Sequence, residues 1–303
     1  MESGTLSMVV EAFRMKKRRY RESIGRAWYK FSASKLSVIG LAIVLAVLLL
    51  AVLAPLVSPY PKHAGAFVDF VNSSKPPGGA HLLGTDNVGR DILSRVIFSL
   101  RSALMMGVVV LSIAVPVGSA SGLIAGYFRG TWVDAIITRI TDVFLAVPPL
   151  VLALAIASLM APNLTNAMLA ISVMWWPWYT RLVYGMASSL SKEYFVRSAE
   201  LSGGNWVHIT LRELLPNCVS PILTKMTLDM GIVIMVGASL GFVGLGEQAP
   251  APALGNMVSD GAKYMPELWW MTVFPALAIM VIVLGFNLLG DGVRDMFAVE
   301  DKT

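Results

Sequence analysis

Apolar residues in this chain are gathered into long blocks. Val38 to Val57 carries no charged side chain, and Ile279 to Leu289 is almost as clean. A run of about 20 apolar residues is the length a helix needs to cross the hydrocarbon core of a bilayer. Inside lipid every backbone N–H and C=O must be paired within the protein, which leaves helices or closed barrels. Barrel strands alternate polar and apolar positions, and these blocks do not. The pattern predicts an all-α integral membrane protein with about six transmembrane helices, over residues 36–57, 103–127, 133–160, 167–187, 219–244 and 269–290.

The stretches between and within these spans carry local signals. Residues 58–102 open with Ser58-Pro59-Tyr60-Pro61 and contain Pro76-Pro77-Gly78-Gly79, both clear breakers. Gly84 to Asp91 then leads into a helix that Thr85 or Asp86 can cap. Its apolar face is Ile92, Val96 and Leu100, with Asp91 and Arg95 four apart on the polar side. That arrangement predicts an amphipathic helix lying along the outer membrane surface. The ligand spacing of a calcium loop is missing. Span two sets Ala114, Gly118, Gly122 and Gly126 on one face, where another backbone can approach closely. Trp175-Trp176-Pro177-Trp178-Tyr179 interrupts span four, and the proline predicts a kink. Trp176 and Trp178 are candidates for a substrate path, with interfacial packing as the plainer alternative.

Composition agrees with a membrane protein: 56% of residues are hydrophobic and 14% charged, against about a quarter charged in soluble chains. The placement of charge matters more than the net +5. Arg14, Lys16, Lys17, Arg18, Arg19, Arg21, Arg26, Lys30 and Lys35 all precede the first apolar block. A basic tail directly before a span reads as an orientation signal that also meets anionic lipid headgroups, and not as a nucleic-acid arm. It is too long, and the block after it too long, for a cleaved signal peptide, so the first span is expected to be retained. Both termini are then cytoplasmic. The expected organisation is a basic tail over 1–35, a first helix over 36–57 and an extracytoplasmic loop over 58–102. A five-helix core over 103–293 and a cytoplasmic tail over 294–303 complete it. Cys218 is the only cysteine, so no disulfide can form within the chain, and His63, His81 and His208 lack metal-ligand spacing.

Residues 193–217, between spans four and five, hold the most informative local chemistry. Gly203-Gly204 can end one helix in a left-handed turn, Asn205 can cap the next, and Pro216 stops that helix or starts another. A short helical prong projecting into the cytoplasm is what a membrane protein needs if a soluble motor is to push on it.

This segment resembles the EAA motif of ABC importer permeases through Ala199, Gly203, Leu215 and Pro216, departing from it at Arg197 and Glu213. His81-Leu82-Leu83-Gly84-Thr85-Asp86 through Gly89-Arg90-Asp91 to Ser94-Arg95 is similar to a signature of the second permease in dipeptide and oligopeptide systems. Phe242 to Gly246 and Phe286 to Asp295 are similar to two more stretches of that family. The chain is identified as a member of it. The resemblance implies the type I ABC importer permease fold and a pathway for peptides, with relatives carrying oligosaccharides, nickel complexes or opines. It implies a homologous permease partner, two ATP-binding subunits and an extracytoplasmic substrate-binding protein, in a bacterial inner or archaeal plasma membrane. ATP and magnesium would be bound by the ATPases, with no cofactor in this chain. Coupling to an ATPase would run through Val196, Arg197, Ala199, Glu200, Gly203, Gly204, Leu215 and Pro216. The absence of a phosphate-binding G-x-x-x-x-G-K-[ST] loop agrees with that division of labour.

Ionisable residues inside spans are costly and tend to be paired or functional. Arg139 and Asp142 can pair on one face of span three, and Lys225 and Asp229 on span five. Asp142, Asp229 and Asp291 are accordingly candidates for the pathway or its gate, with structural ion pairs, or gating pairs with the partner permease, preferred over contacts to a peptide, since in the family the chain resembles the binding protein sets most of the specificity. In a proton-coupled carrier they would instead relay protons, but no inverted repeat supports that class. An intramembrane hydrolase would need a nucleophile and base in a pairing that Cys218 and the histidines do not offer.

Overall fold

The computed structural model describes residue 25 and residues 28–297; the basic residues from Arg14 to Arg21, Arg26, and positions 298–303 of the expected tail lie outside them. Among the described residues the regular structure is helical, apart from one isolated bridge between Thr85 and Asp91. The main helices are α1 (Lys35–Val52), α2 (Ile92–Tyr127), α3 (Trp132–Ala146), α4 (Pro149–Ser158), α5 (Leu164–Leu190), α6 (Tyr194–Leu201), α7 (Leu215–Phe242), α8 (Leu254–Ala262) and α9 (Trp270–Phe297). Four stretches are long and apolar enough to cross a membrane: α1, α2, Trp206–Phe242 and α9. A fifth arises if α3 and α4 are one span bent by 91°. The 27-residue α5 is long enough to cross, at about 40 Å, but is not among them. It is walled in by neighbours, with Ile171, Tyr179 and Val183 fully buried, so it can carry more polar residues than a lipid-facing helix.

The glycine stripe of α2 lies against α5. A Cβ on Gly122 would sit 2.7 Å from the Thr180 carbonyl oxygen and 2.8 Å from the Val183 Cβ, and one on Gly126 would sit 2.6 Å from the Ala187 Cβ. Only a missing side chain lets the two backbones come this close. Gly40 plays the same part between α1 and α9, where a Cβ would lie 2.6 Å from the Leu288 Cβ.

Three expectations about elements need correction. The surface helix after Asp91 is no separate element: α2 runs unbroken for 36 residues from Ile92, with Ile92 and Leu100 buried against the protein and not laid on lipid. Span three is broken at Val147 and Pro148, because proline restricts the residue before it to extended backbone. Span four, by contrast, continues as helix through Pro177.

The 58–102 segment packs its polar groups on one another at the start of α2. Asp91, and not Thr85 or Asp86, caps that helix: its Oδ2 accepts from the Ser94 N–H at 2.8 Å and the Ser94 hydroxyl at 2.7 Å. Its other oxygen accepts from His81 Nδ1 at 2.9 Å, while the Asp91 N–H donates to His63 Nδ1 at 2.9 Å. These partners fix opposite tautomers, with the proton on Nδ1 in His81 and on Nε2 in neutral His63. Burial lowers the His63 pKa below its ordinary 6.5, against the opposing pull of the Asp91 charge. Asp86 accepts from the Arg90 and Val88 N–H groups and pairs with the Arg90 guanidinium at 2.6 Å. Arg95 lies 3.9 Å from Asp86 and not against Asp91. Gly89, at φ +84°, admits no side chain, because a Cβ would run into the Asp69 carbonyl oxygen.

Candidate functional site

The far end of α2, about 54 Å from Ile92 by helix length, meets residues 193–217. Helix α6 ends in a Schellman turn. The Gly203 N–H donates to the Glu200 carbonyl at 2.9 Å, and the Gly204 N–H donates to the Ala199 carbonyl at 3.0 Å. Gly203 adopts φ +85°, the left-handed conformation that a Cβ makes costly. Asn205 then caps the next turn, its Oδ1 accepting from the His208 N–H at 2.8 Å. Both readings of the sequence hold. Of the two roles open to Pro216 it takes the second, standing in the first turn of α7, which Trp206–His208 reaches without a break through a π-helical stretch, Ile209–Leu214.

Few residues anchor this prong. Val196, Ile209 and Leu214 are fully buried in the same core as Val183, Ala187 and Cys218. Glu200 accepts a hydrogen bond from the Tyr127 hydroxyl at 3.1 Å, and Trp206 lies 5.9 Å from Phe128. The rest faces outward. Leu201 is 91% exposed and Tyr194 87%, and Phe195, Trp206 and Val207 are also exposed. Ala199, Gly203, Gly204 and His208 border an open hollow at the turn. Arg197 and Pro216 are exposed, and Leu215 is half-buried. The arrangement offers a greasy tip on a stiff loop, a surface that a soluble partner can cover.

The two helices leaving the prong, α5 and α7, are joined inside the bundle. The Trp175 indole N–H donates to Asp229 Oδ2 at 2.9 Å, and Lys225 Nζ lies 3.0 Å from the same carboxylate. The Lys225 ammonium also stands over the Trp178 and Tyr179 rings, at 5.8 and 5.3 Å from their centroids. Trp175 and Asp229 each lie about 20 Å along their helix from the prong. Charge held by hydrogen bonds in this setting is strong, so the two arms are latched.

The remaining candidates are scattered. Asp142 pairs with Arg181 of α5, and not with Arg139 as its own helix spacing suggested. A cross-helix guanidinium reaches the carboxylate where the i,i+3 neighbour does not. Trp176 turns away from the latch and packs edge-on against Phe144 of α3, at 5.6 Å. Trp178 is exposed beside Lys225, and Asp291 is exposed near the end of α9, in no ion pair among the described residues. Sequence reasoning passed over Trp175 and Tyr127. Nothing local marks Trp175 among its aromatic neighbours as the one that meets Asp229, and nothing local links Tyr127 to Glu200.

The region thus joins membrane-length helices, a hydrogen-bonded pair of arms and an exposed prong at one end. Residues 118–298 match the family described as binding-protein-dependent transport system inner membrane components. Residues 24–77 match the N-terminal membrane domain of oligopeptide transport permease C. The chain belongs to this family of ABC importer permeases; it is a multi-pass transport subunit and not an enzyme. It is 39% identical over 277 residues to the dipeptide transport system permease protein DppC of Alkalihalophilus pseudofirmus, covering 91% of this chain and 90% of the relative. It is 38% identical to the probable D,D-dipeptide transport system permease protein DdpC of Escherichia coli, covering 88% and 89%. Among solved structures, the MetNI methionine ABC transporter in inward-facing conformations matches with a TM-score of 0.53 at 17% identity, over 68% of this chain and 98% of the matched one. At that identity the likeness concerns fold alone.

Proposed function

We propose that this chain forms half of a membrane pathway for small peptides in a bacterial inner-membrane ABC importer. A homologous permease completes the pathway, two ATP-binding subunits drive it, and an extracytoplasmic binding protein delivers the cargo. Residues 193–217 face the cytoplasm and seat on one ATPase, where ATP and its magnesium belong. The observation that carries this reading is the prong itself: a Schellman turn at Gly203 with exposed Leu201 and Tyr194 at its tip, continuous with α7. The dipeptide names of the relatives support the cargo.

Closure of the ATPases moves the prong as a body. The Trp175–Asp229 latch obliges α5 and α7 to follow together, so the motion becomes a rigid displacement of half the pathway wall. The test is reconstitution in lipid vesicles. The complete complex with ATP is expected to concentrate dipeptide, and the permeases without ATPases are not; a tag at residue 205 should be reached from the ATPase side and one at residue 70 from the other. Uphill uptake without ATPases, or reversed labelling, would sink the reading.

A further inference from the structure

Lys225 and Asp229 lie one turn apart on α7, and their situations differ. Asp229 is only 3% exposed, and both its oxygens are engaged, one by the Trp175 indole and both by the Lys225 ammonium at 3.0 Å. Lys225 is half-buried, and an ammonium has three donors. One side of it meets the carboxylate and another meets the faces of Trp178 and Tyr179. The remainder opens on a recess of ≈ 540 Å³ between α7 and the end of α9, walled also by Thr224, Arg294 and Phe297. That volume lies within the about 300–1,000 Å³ of small-molecule sites. Among the described residues two cations, Lys225 and Arg294, border it against one carboxylate, Asp229, that is already paired, so these walls favour an anion.

A purely structural ion pair fits these facts poorly. Lys225 and Asp229 stand on the same helix, so their pairing joins no two elements. The ties between the helices are the Trp175 hydrogen bond, which a neutral amide in place of Asp229 would also accept, and the contact of the Lys225 ammonium with the Trp178 and Tyr179 rings, which asks for a cation but not for a carboxylate beside it. A charged lysine in a span is costly and is expected to face water or a solute.

We propose that Lys225 receives the C-terminal carboxylate of the peptide during passage, with Asp229 as the positioning residue that holds the ammonium toward the recess. The peptide cargo rests on the function proposed above. Lys225 stands about 15 Å along α7 from the prong, so the stroke that moves the prong also carries this contact.

The experiment uses the whole complex, with its binding protein, in vesicles supplied with labelled dialanine and glycyl-leucine. Lys225→Gln is expected to lower uptake per ATP hydrolysed about tenfold, the scale of one charge-assisted contact, while ATP hydrolysis stimulated by the loaded binding protein persists. Lys225→Arg should restore most of the uptake. The double variant Lys225→Met with Asp229→Asn leaves no unpaired buried charge and keeps an acceptor for Trp175; it should assemble with at most a small drop in Tm and still transport poorly. Normal uptake in Lys225→Gln, or recovery in the double variant, overturns the inference and leaves the peptide reading standing. A wild-type complex that imports neither dipeptide overturns both. If Lys225→Gln fails to assemble, the arginine and double variants decide the matter alone.

Discussion

The two ends of α2 are finished in opposite ways. At Ile92 the polar groups around Asp91 engage one another: Asp91 alone takes three donors and gives its own N–H to His63. At Tyr127 the prong makes one side-chain hydrogen bond to the helix and leaves Tyr194, Leu201, Trp206 and Val207 in the open. A buried polar network is costly unless complete, so the first end is built to be rigid by itself. An exposed apolar tip is unfavourable by itself, so the second is a surface suited to being covered by a partner. In the function proposed above, the first end holds shape and the second transmits motion.

Breaking the closed end should have the largest effect on stability. Asp91→Ala strands the Ser94 N–H, the Ser94 hydroxyl and His81 Nδ1. A loss of about 3 kcal/mol or more is expected, visible as a lower Tm of the purified complex; an unchanged Tm would show that the network is dispensable. Next comes the helix that joins the ends. Gly122→Leu must push apart backbones that leave 2.7 Å for its Cβ. About 1–3 kcal/mol should be lost, with weaker recovery of the assembled complex as the measure.

At the open end the effect should shift from stability to activity. A Cβ on Gly203 meets nothing within 4 Å, so the only folded-state cost of Gly203→Arg is the left-handed φ. That is about 1 kcal/mol, yet uptake should fall at least about tenfold because the tip no longer seats. Normal uptake in a stable complex would dissociate the prong from coupling. The smallest effect is one of pH. His63 binds a proton less readily folded than unfolded, because burial outweighs the Asp91 charge. Its contribution to stability is therefore complete above its ordinary pKa of 6.5 and declines as pH falls through that value. Thermal melts from pH 8 to 5 should show it, and His63→Gln should flatten the decline.

Much of this was legible in the residues, and the pattern of success is physical. The Gly203 turn and the Asn205 cap were readable because each acts on donors within five residues. The Lys225–Asp229 pair was readable because i,i+4 neighbours share a helix face. The same rule failed for Arg139 and Asp142, where Arg181 from another helix intervened. Local reading also failed at residues 85–91, where Thr85 or Asp86 was expected to cap α2 and Asp91 does so instead. Trp175 was passed over in favour of its neighbours because a run of aromatics gives no hint of which one meets a carboxylate 54 residues away.

By itself, then, the order of residues determined a helical membrane chain, the close-packing glycine face of α2 and the hinge chemistry of the prong. Each follows from apolar length, helix periodicity or backbone freedom, which act over a few turns. Only the tertiary structure decided the partner of Asp142 and the latch between the arms. Those depend on which side chains from distant segments arrive within 3 Å of one another, and no local preference encodes that meeting.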